Sequence, residues 1–139
     1  MRVVLDTNIL VSALISRSGP TDRLYVAWKD RRFQLVTSIE QLDEFRRVTR
    51  YPRVKKLIDP SAAGVMYNQL RISAIVLDKL PVVNRSRDAG DNFLLAMAEA
   101  GAAEYLVTGD KLDILSLKTH GNTRIINPTS MLRIVGIRE

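Results

Sequence analysis

Four acids in this chain could do chemistry together. Asp6 ends a short apolar run, Val3-Val4-Leu5, and Asp110 follows another, Tyr105-Leu106-Val107, after Thr108 and Gly109. Glu44 falls on the rim of an apolar helix face, about 40° from Val48. Asp91 projects along the Leu94/Leu95/Ala98 stripe of a helix that is apolar nearly all round. Carboxylates gathered without cysteine, and with a single histidine in the chain, are hard oxygen ligands. They suit Mg²⁺ or Mn²⁺, which keep several waters and take phosphate oxygens as further ligands. Such ions generate a hydroxide near neutral pH and stabilise the charge that builds on a phosphodiester. The chemistry expected is metal-dependent phosphodiester hydrolysis. Each acid also has a plainer role. Asp6 can cap the following helix, Asp88 and Asp91 can be a cap and its N3 partner, Asp110 and Asp113 likewise, and Glu44 can be a solvated helix acid.

The elements that must position these acids follow from periodicity. Arg2 to Leu5 is a short buried strand, rich in β-branched residues, and Asn8 to Ile15 the first helix. Pro20 opens a second helix whose apolar face is Leu24, Tyr25 and Trp28. Part of that face is expected to lie between subunits or under a partner segment. Phe33 to Val36 is a second strand, running into Thr37 and Ser38. Ser38 with Gln41 forms a capping-box pair for a third helix, on which Ile39, Leu42, Phe45 and Val48 share the apolar face. Asp59-Pro60-Ser61 opens a helix through Val65, Met66, Leu70 and Ile72. Ala74 to Leu77 is a third strand, and Asp78 to Arg87 a loop. The buried helix spans Asp88 to Gly101, a fourth strand Glu104 to Val107, and a fifth Thr123 to Ile126. His120-Gly121-Asn122 is read as a turn with an exposed histidine, and Pro128 starts a last helix. Strands alternating with helices imply an α/β fold with a parallel sheet and helices on both faces. In such sheets ligands sit at the carboxyl ends of the strands, where all four acids are expected to converge.

Composition sets the bounds. The chain has 139 residues, 46% hydrophobic and 26% charged, as one soluble domain over 1–139 should. It has no cysteine, which excludes a disulfide framework and a thiolate metal site. No apolar run approaches a membrane span, and no signal peptide is read at the start, so a cytoplasmic protein without a membrane role is expected. The formal net charge is +6. Residues 1–87 hold 16 Lys and Arg against 8 Asp and Glu, and residues 88–139 hold 5 against 7. A basic surface beside an acidic end fits a polyanion partner together with a cation site. Arg46, Arg47, Arg50, Arg53, Lys55 and Lys56 form an acid-free run that could track an RNA backbone, with Tyr51 to stack a base. A solvated helix end is the alternative.

The ordered motifs resemble the PIN-domain nucleases, in particular the VapC-type toxins of toxin–antitoxin pairs. The matching residues are VVLDTN at the start, Ser38 with Glu44-Phe45, Asp88-Ala89-Gly90-Asp91-Asn92, and Tyr105 to Asp110. The resemblance implies a three-layer α/β/α fold with a five-stranded parallel sheet. It implies Mg²⁺ or Mn²⁺ held by Asp6, Glu44, Asp91 and Asp110, with Asp88 as an accessory acid and Asn8 and Thr108 as supporting polar positions. It further implies RNA cleavage, a homodimer and a cognate antitoxin. The sequence departs from the family after Thr-Gly-Asp, where Lys111 and Leu112 precede Asp113. Two other readings compete. One is a non-catalytic RNA- or partner-binding module on the same fold. The other is a phosphatase with Asp6 as nucleophile, of the haloacid-dehalogenase kind, which wants a second acid where Asn8 stands.

Overall fold

The computed structural model of the chain describes residues 1–109 and 112–136. In chain order the elements are β1 (Arg2–Leu5), α1 (Thr7–Ile15), α2 (Pro20–Lys29), β2 (Gln34–Ser38), α3 (Ile39–Thr49), α4 (Pro52–Lys55), α5 (Pro60–Ser73) and β3 (Ile75–Leu77). Then come α6 (Ala89–Ala100), β4 (Tyr105–Val107), α7 (Leu112–Ser116), β5 (Thr119–His120), β6 (Thr123–Ile126) and α8 (Pro128–Ile134).

The strands form one sheet in the order β3-β2-β1-β4-β6-β5. Five of them are parallel, and β5 joins the edge antiparallel to β6. The expected five-stranded parallel sheet is therefore present, enlarged by a sixth short strand. The difference arises at His120, which pairs with Thr123 across a turn that needs the positive φ of Gly121. His120 is not an exposed turn residue: its Nδ1 lies 3.1 Å from Arg85 Nη1 and its Nε2 3.8 Å from Glu99 Oε2.

Side-chain alternation splits the core between the two faces of the sheet. Val3, Leu5, Leu35 and Val107 join one cluster with residues of α1, α2, α3, α5 and α8. Val4, Val36 and Leu106 join the other, with Leu94, Leu95, Met97 and Ala98 of α6 and Ile114 of α7. The architecture is thus three layers, α/β/α.

Ile39, expected on the apolar face of α3, is exposed, as are Val65 and Ile72 of α5. The α2 expectation also needs correction. Leu24 is 0% and Trp28 6% exposed within the single chain, packed in the cluster that includes α1 and α8. Their burial requires no partner. Tyr25 remains half-covered, with its hydroxyl on Gln69 Oε1 and Lys29 Nζ 4.5 Å over its ring. Burial, then the Asp22 charge, pushes its phenol up from the ordinary value. Among the described residues no helix is long and apolar enough to cross a membrane.

The order of strands reverses between β1 and β4. The chain runs outward through β2 and β3, then returns to place β4 on the other side of β1. This is the topological switch point at which open α/β sheets bind ligands. Its far end is pinned by α6. Arg2 Nη1 donates to the Gly101 carbonyl at 3.1 Å, so the helix ends at the amino edge of the sheet and its first turn lies toward the carboxyl edge. Contact there is tight: a Cβ on Gly101 would lie 2.6 Å from Val36 Cγ1. Gly101→Ala is therefore expected to destabilise the protein by about 1–3 kcal/mol through overpacking, measured as a lower urea midpoint at unchanged m-value.

Candidate metal centre

The centre of the site is Asp6, the residue between β1 and α1. Its backbone N–H donates to the Val107 carbonyl of β4 at 2.9 Å, which continues the parallel ladder past the strand. Its side chain caps α1, Oδ1 accepting from the Asn8 N–H at 3.2 Å. Oδ2 accepts from the Thr108 hydroxyl at 2.9 Å. Asp6 is 4% exposed and Thr108 fully buried. The capping role and the strand-end position thus coexist in one residue. Asn8 meets Asp6 through its backbone, and its side chain is exposed.

Glu44 comes from α3, which starts where β2 ends. Ser38 caps that helix, its hydroxyl accepting from the Gln41 N–H at 3.0 Å. The second half of the expected capping box is absent, because the Gln41 side chain goes elsewhere. Its Nε2 donates to the Leu5 carbonyl at 2.8 Å and to Thr7 Oγ1 at 3.3 Å, while its Oε1 accepts from the Thr37 hydroxyl at 2.7 Å. The Thr7 hydroxyl in turn donates to Glu44 Oε1. One buried amide thereby ties the ends of β1 and β2 to the start of α1, and Thr7 passes that order to Glu44. Periodicity did not single out Thr7 or Gln41. The available signal was a polar residue at a core-facing helix position, since a buried amide must find partners.

Asp91 lies in the first turn of α6 and is 1% exposed. Ser86 Oγ donates to its Oδ2 at 3.1 Å. The loop before α6 is folded by Asn92, whose Oδ1 accepts from the N–H groups of Arg85 and Ser86 and whose Nδ2 donates to the Ser86 carbonyl. Asp88 is exposed and caps α6, accepting from the Gly90 N–H at 2.7 Å. Here too cap and candidate ligand are the same residue. Asp113 is exposed in the first turn of α7.

Asp110 and Lys111 lie outside the described residues. Among the described residues no three acids or histidines form a group that could hold an ion. The donor chemistry nevertheless fits a hard cation: carboxylates from Asp6, Glu44 and Asp91, flanked by the hydroxyls of Thr7, Ser86 and Thr108, with no nitrogen or sulfur ligand in the set. The basic residues Arg46, Arg47, Arg50, Arg53, Lys55 and Lys56 are all exposed, on the second half of α3, on α4 and at the C-caps of both.

A mostly parallel sheet with a buried acid, Asp6, at its switch point places the chain among the ligand-binding three-layer α/β folds, and the comparisons name the family. The PIN domain model matches residues 2–112, and the chain belongs to the PIN domain family. PIN domains are in general nucleases and typically use divalent metal ions. Similar solved structures include FitAB bound to a DNA fragment, IR36, at 17% identity over 91% of this chain and 94% of that one, with a TM-score of 0.53. FitAcB from Neisseria gonorrhoeae is similar at 19% identity over 91% of this chain and 98% of that one, with a TM-score of 0.51. At such identities the likeness is one of fold. No curated protein matches the chain.

The Gln41 bridge can be tested by itself. Gln41→Leu leaves the Leu5 carbonyl and the Thr37 hydroxyl buried without this partner and is expected to cost about 1–3 kcal/mol. Adding Thr37→Val should return part of that loss, so that denaturation of the double variant shows less than the summed effect.

Proposed function

We propose that this protein is a Mg²⁺- or Mn²⁺-dependent endoribonuclease, acts in the cytoplasm as a homodimer, and is the toxin of a toxin–antitoxin pair. The observation that carries the nuclease reading is Asp6: a buried carboxylate at the switch point of a PIN domain, fixed from β4 by the Thr108 hydroxyl. Asp6, Glu44, Asp91 and Asp110 would hold the ion, with Asp88 as an accessory acid beside them. Bound there, a hard divalent ion supplies a hydroxide near neutral pH and neutralises charge on the scissile phosphate. Thr108 positions the Asp6 carboxylate, Thr7 positions Glu44, and Ser86 positions Asp91. The exposed cations from Arg46 to Lys56 bind the phosphate backbone. The toxin and antitoxin roles rest on the family resemblance of the motifs. The FitAB structure carries DNA, so single- and double-stranded DNA belong beside RNA in the assay.

Asp6→Asn and Asp91→Asn are each expected to lower cleavage at least ~100-fold with an unchanged circular dichroism spectrum. Excess EDTA should abolish cleavage, and Mn²⁺ should restore it. Thr108→Val is expected to raise the Mn²⁺ concentration for half-maximal activity by ~10–100-fold, the usual effect of losing a partner behind a ligand. Undiminished cleavage in EDTA would overturn the reading. Metal-independent RNA binding without cleavage of any nucleic acid would replace it with that of a non-catalytic binding module. A phosphoryl group trapped on Asp6 would point to a phosphatase instead.

A further inference from the structure

Apart from the acids, a cavity of about 460 Å³ opens between α3, α4 and α5. Its size is within the ~300–1,000 Å³ of small-ligand sites. Phe45 and Ile58, both buried, line its depth, and half-buried Tyr67 forms one wall. The guanidinium carbon of Arg46 lies 5.1 Å from the centre of the Tyr67 ring, a planar cation placed on a planar ring. Arg50 and Lys55 complete a basic rim, and no acid is among the lining residues. Asp59, just outside, is committed to capping α5: it accepts from the Ser61 hydroxyl and N–H, which hold its carboxyl below the ordinary range.

Gly64 also lines this cavity. It sits inside α5, where glycine weakens a helix, yet a Cβ there would meet nothing within 4 Å. Packing within the chain therefore does not require it. A side chain longer than a methyl at this position would extend from the lining of the cavity.

We propose that this cleft takes one nucleobase of single-stranded RNA, with the adjoining phosphates on Arg46, Arg50 and Lys55. The proposal builds on the nuclease reading and extends it to a base-reading subsite. A flat aromatic wall with a stacked guanidinium suits a planar ring, and cations along the edge suit its backbone. Asn68, exposed at the cavity, accepts from Arg71 Nη2 at Oδ1 (3.4 Å) and offers its amide donor to a base edge. An acidic peptide would use the charges but has no need of the flat slot. A duplex keeps its bases stacked and cannot enter.

The placement relative to the acids is direct. α3 packs against α1 on one side and α5 on the other. Glu44 meets Thr7 of α1, and Arg46 meets Tyr67 of α5. Cleft and acids thus flank one helix, a width of about 10–12 Å. A strand leaving the acids crosses α3 beside Arg47, and the base that follows reaches the cleft.

The test is fluorescence anisotropy with labelled uracil and adenine RNA hexamers in EDTA, so that binding is read without cleavage. Gly64→Leu plugs the mouth without changing charge and is expected to weaken hexamer binding about tenfold or more, the loss of one stacked base. Gly64→Ala should stay within about twofold of the wild type, and the salt dependence of both should match the wild type. On an abasic hexamer, Gly64→Leu and wild type should bind alike. Asn68→Leu, at an exposed position, should flatten any preference between the two hexamers. The proposal is overturned if no hexamer binds, if folded Gly64→Leu binds hexamers like the wild type, or if it loses the abasic hexamer equally. It is also overturned if a labelled peptide of alternating glutamate and leucine outcompetes the hexamers for the cleft. Binding that responds to Gly64→Leu without cleavage in Mn²⁺ would remove the nuclease reading and keep the cleft; cleavage with an unresponsive Gly64→Leu would do the reverse.

Discussion

Asp6 is 4% exposed, and taking an ionised carboxylate out of water costs several kcal/mol unless charge and hydrogen bonds are supplied in return. The supply here is structural. The start of α1 brings an N–H and the positive end of a helix dipole. The end of β4 brings the Thr108 hydroxyl. Both are available at one place only if β1 and β4 are parallel neighbours ending at the same edge, which is how they pair. The sheet order and the helical crossovers follow from that adjacency, because parallel neighbours need long right-handed connections.

The same logic is repeated with different parts around the edge. Asp91 is buried at the start of α6, where the helix dipole again favours a negative charge, and Ser86 supplies the hydroxyl. Glu44 is not at a helix start and is only half-buried. It takes its order from Thr7, and Thr7 from Gln41. Each carboxylate is thus met by a hydroxyl group, which can donate to it without neutralising it.

Much of this was legible in the sequence because it is local. Strand ends at Leu5 and Val107, helix starts at Pro20, Ser38, Asp59 and Asp88, and the buried stripe of α6 are written in runs of a few residues. The sixth strand was not, since two residues carry no period and His120 is held by its pairing with Thr123. Nor was the covering of Leu24 and Trp28, because an apolar face is the same in sequence whether α8 or another chain lies on it. Capping is the plainer reading of Asp6 and Asp88, and both are caps; at Asp6 the cap coincides with a strand end on the carboxyl edge, so capping there does not exclude a binding role. Gln41 was legible as a cap partner and obscure as a bridge, because its partners Leu5, Thr7 and Thr37 are distant in the chain or belong to another layer. Asp110 lies outside the described residues, so its place beside the other acids is an expectation from the sequence alone.

One helix, α3, carries both signs of charge that a phosphodiester enzyme needs. An acid three or four residues from an arginine on a helix forms a pair and loses its field, and Glu44 has Arg47 at that spacing. Both neighbouring arginines meet tyrosines. Arg47 Nε donates to the Tyr51 hydroxyl at 3.2 Å, and Arg46 lies over Tyr67. Tyrosine holds a guanidinium in place without opposing its charge. Arg46 therefore faces the flank toward α5 and Glu44 the flank toward α1. Separating the two by the body of a helix keeps the basic field, which draws in a polyanion, from quenching the acidic edge.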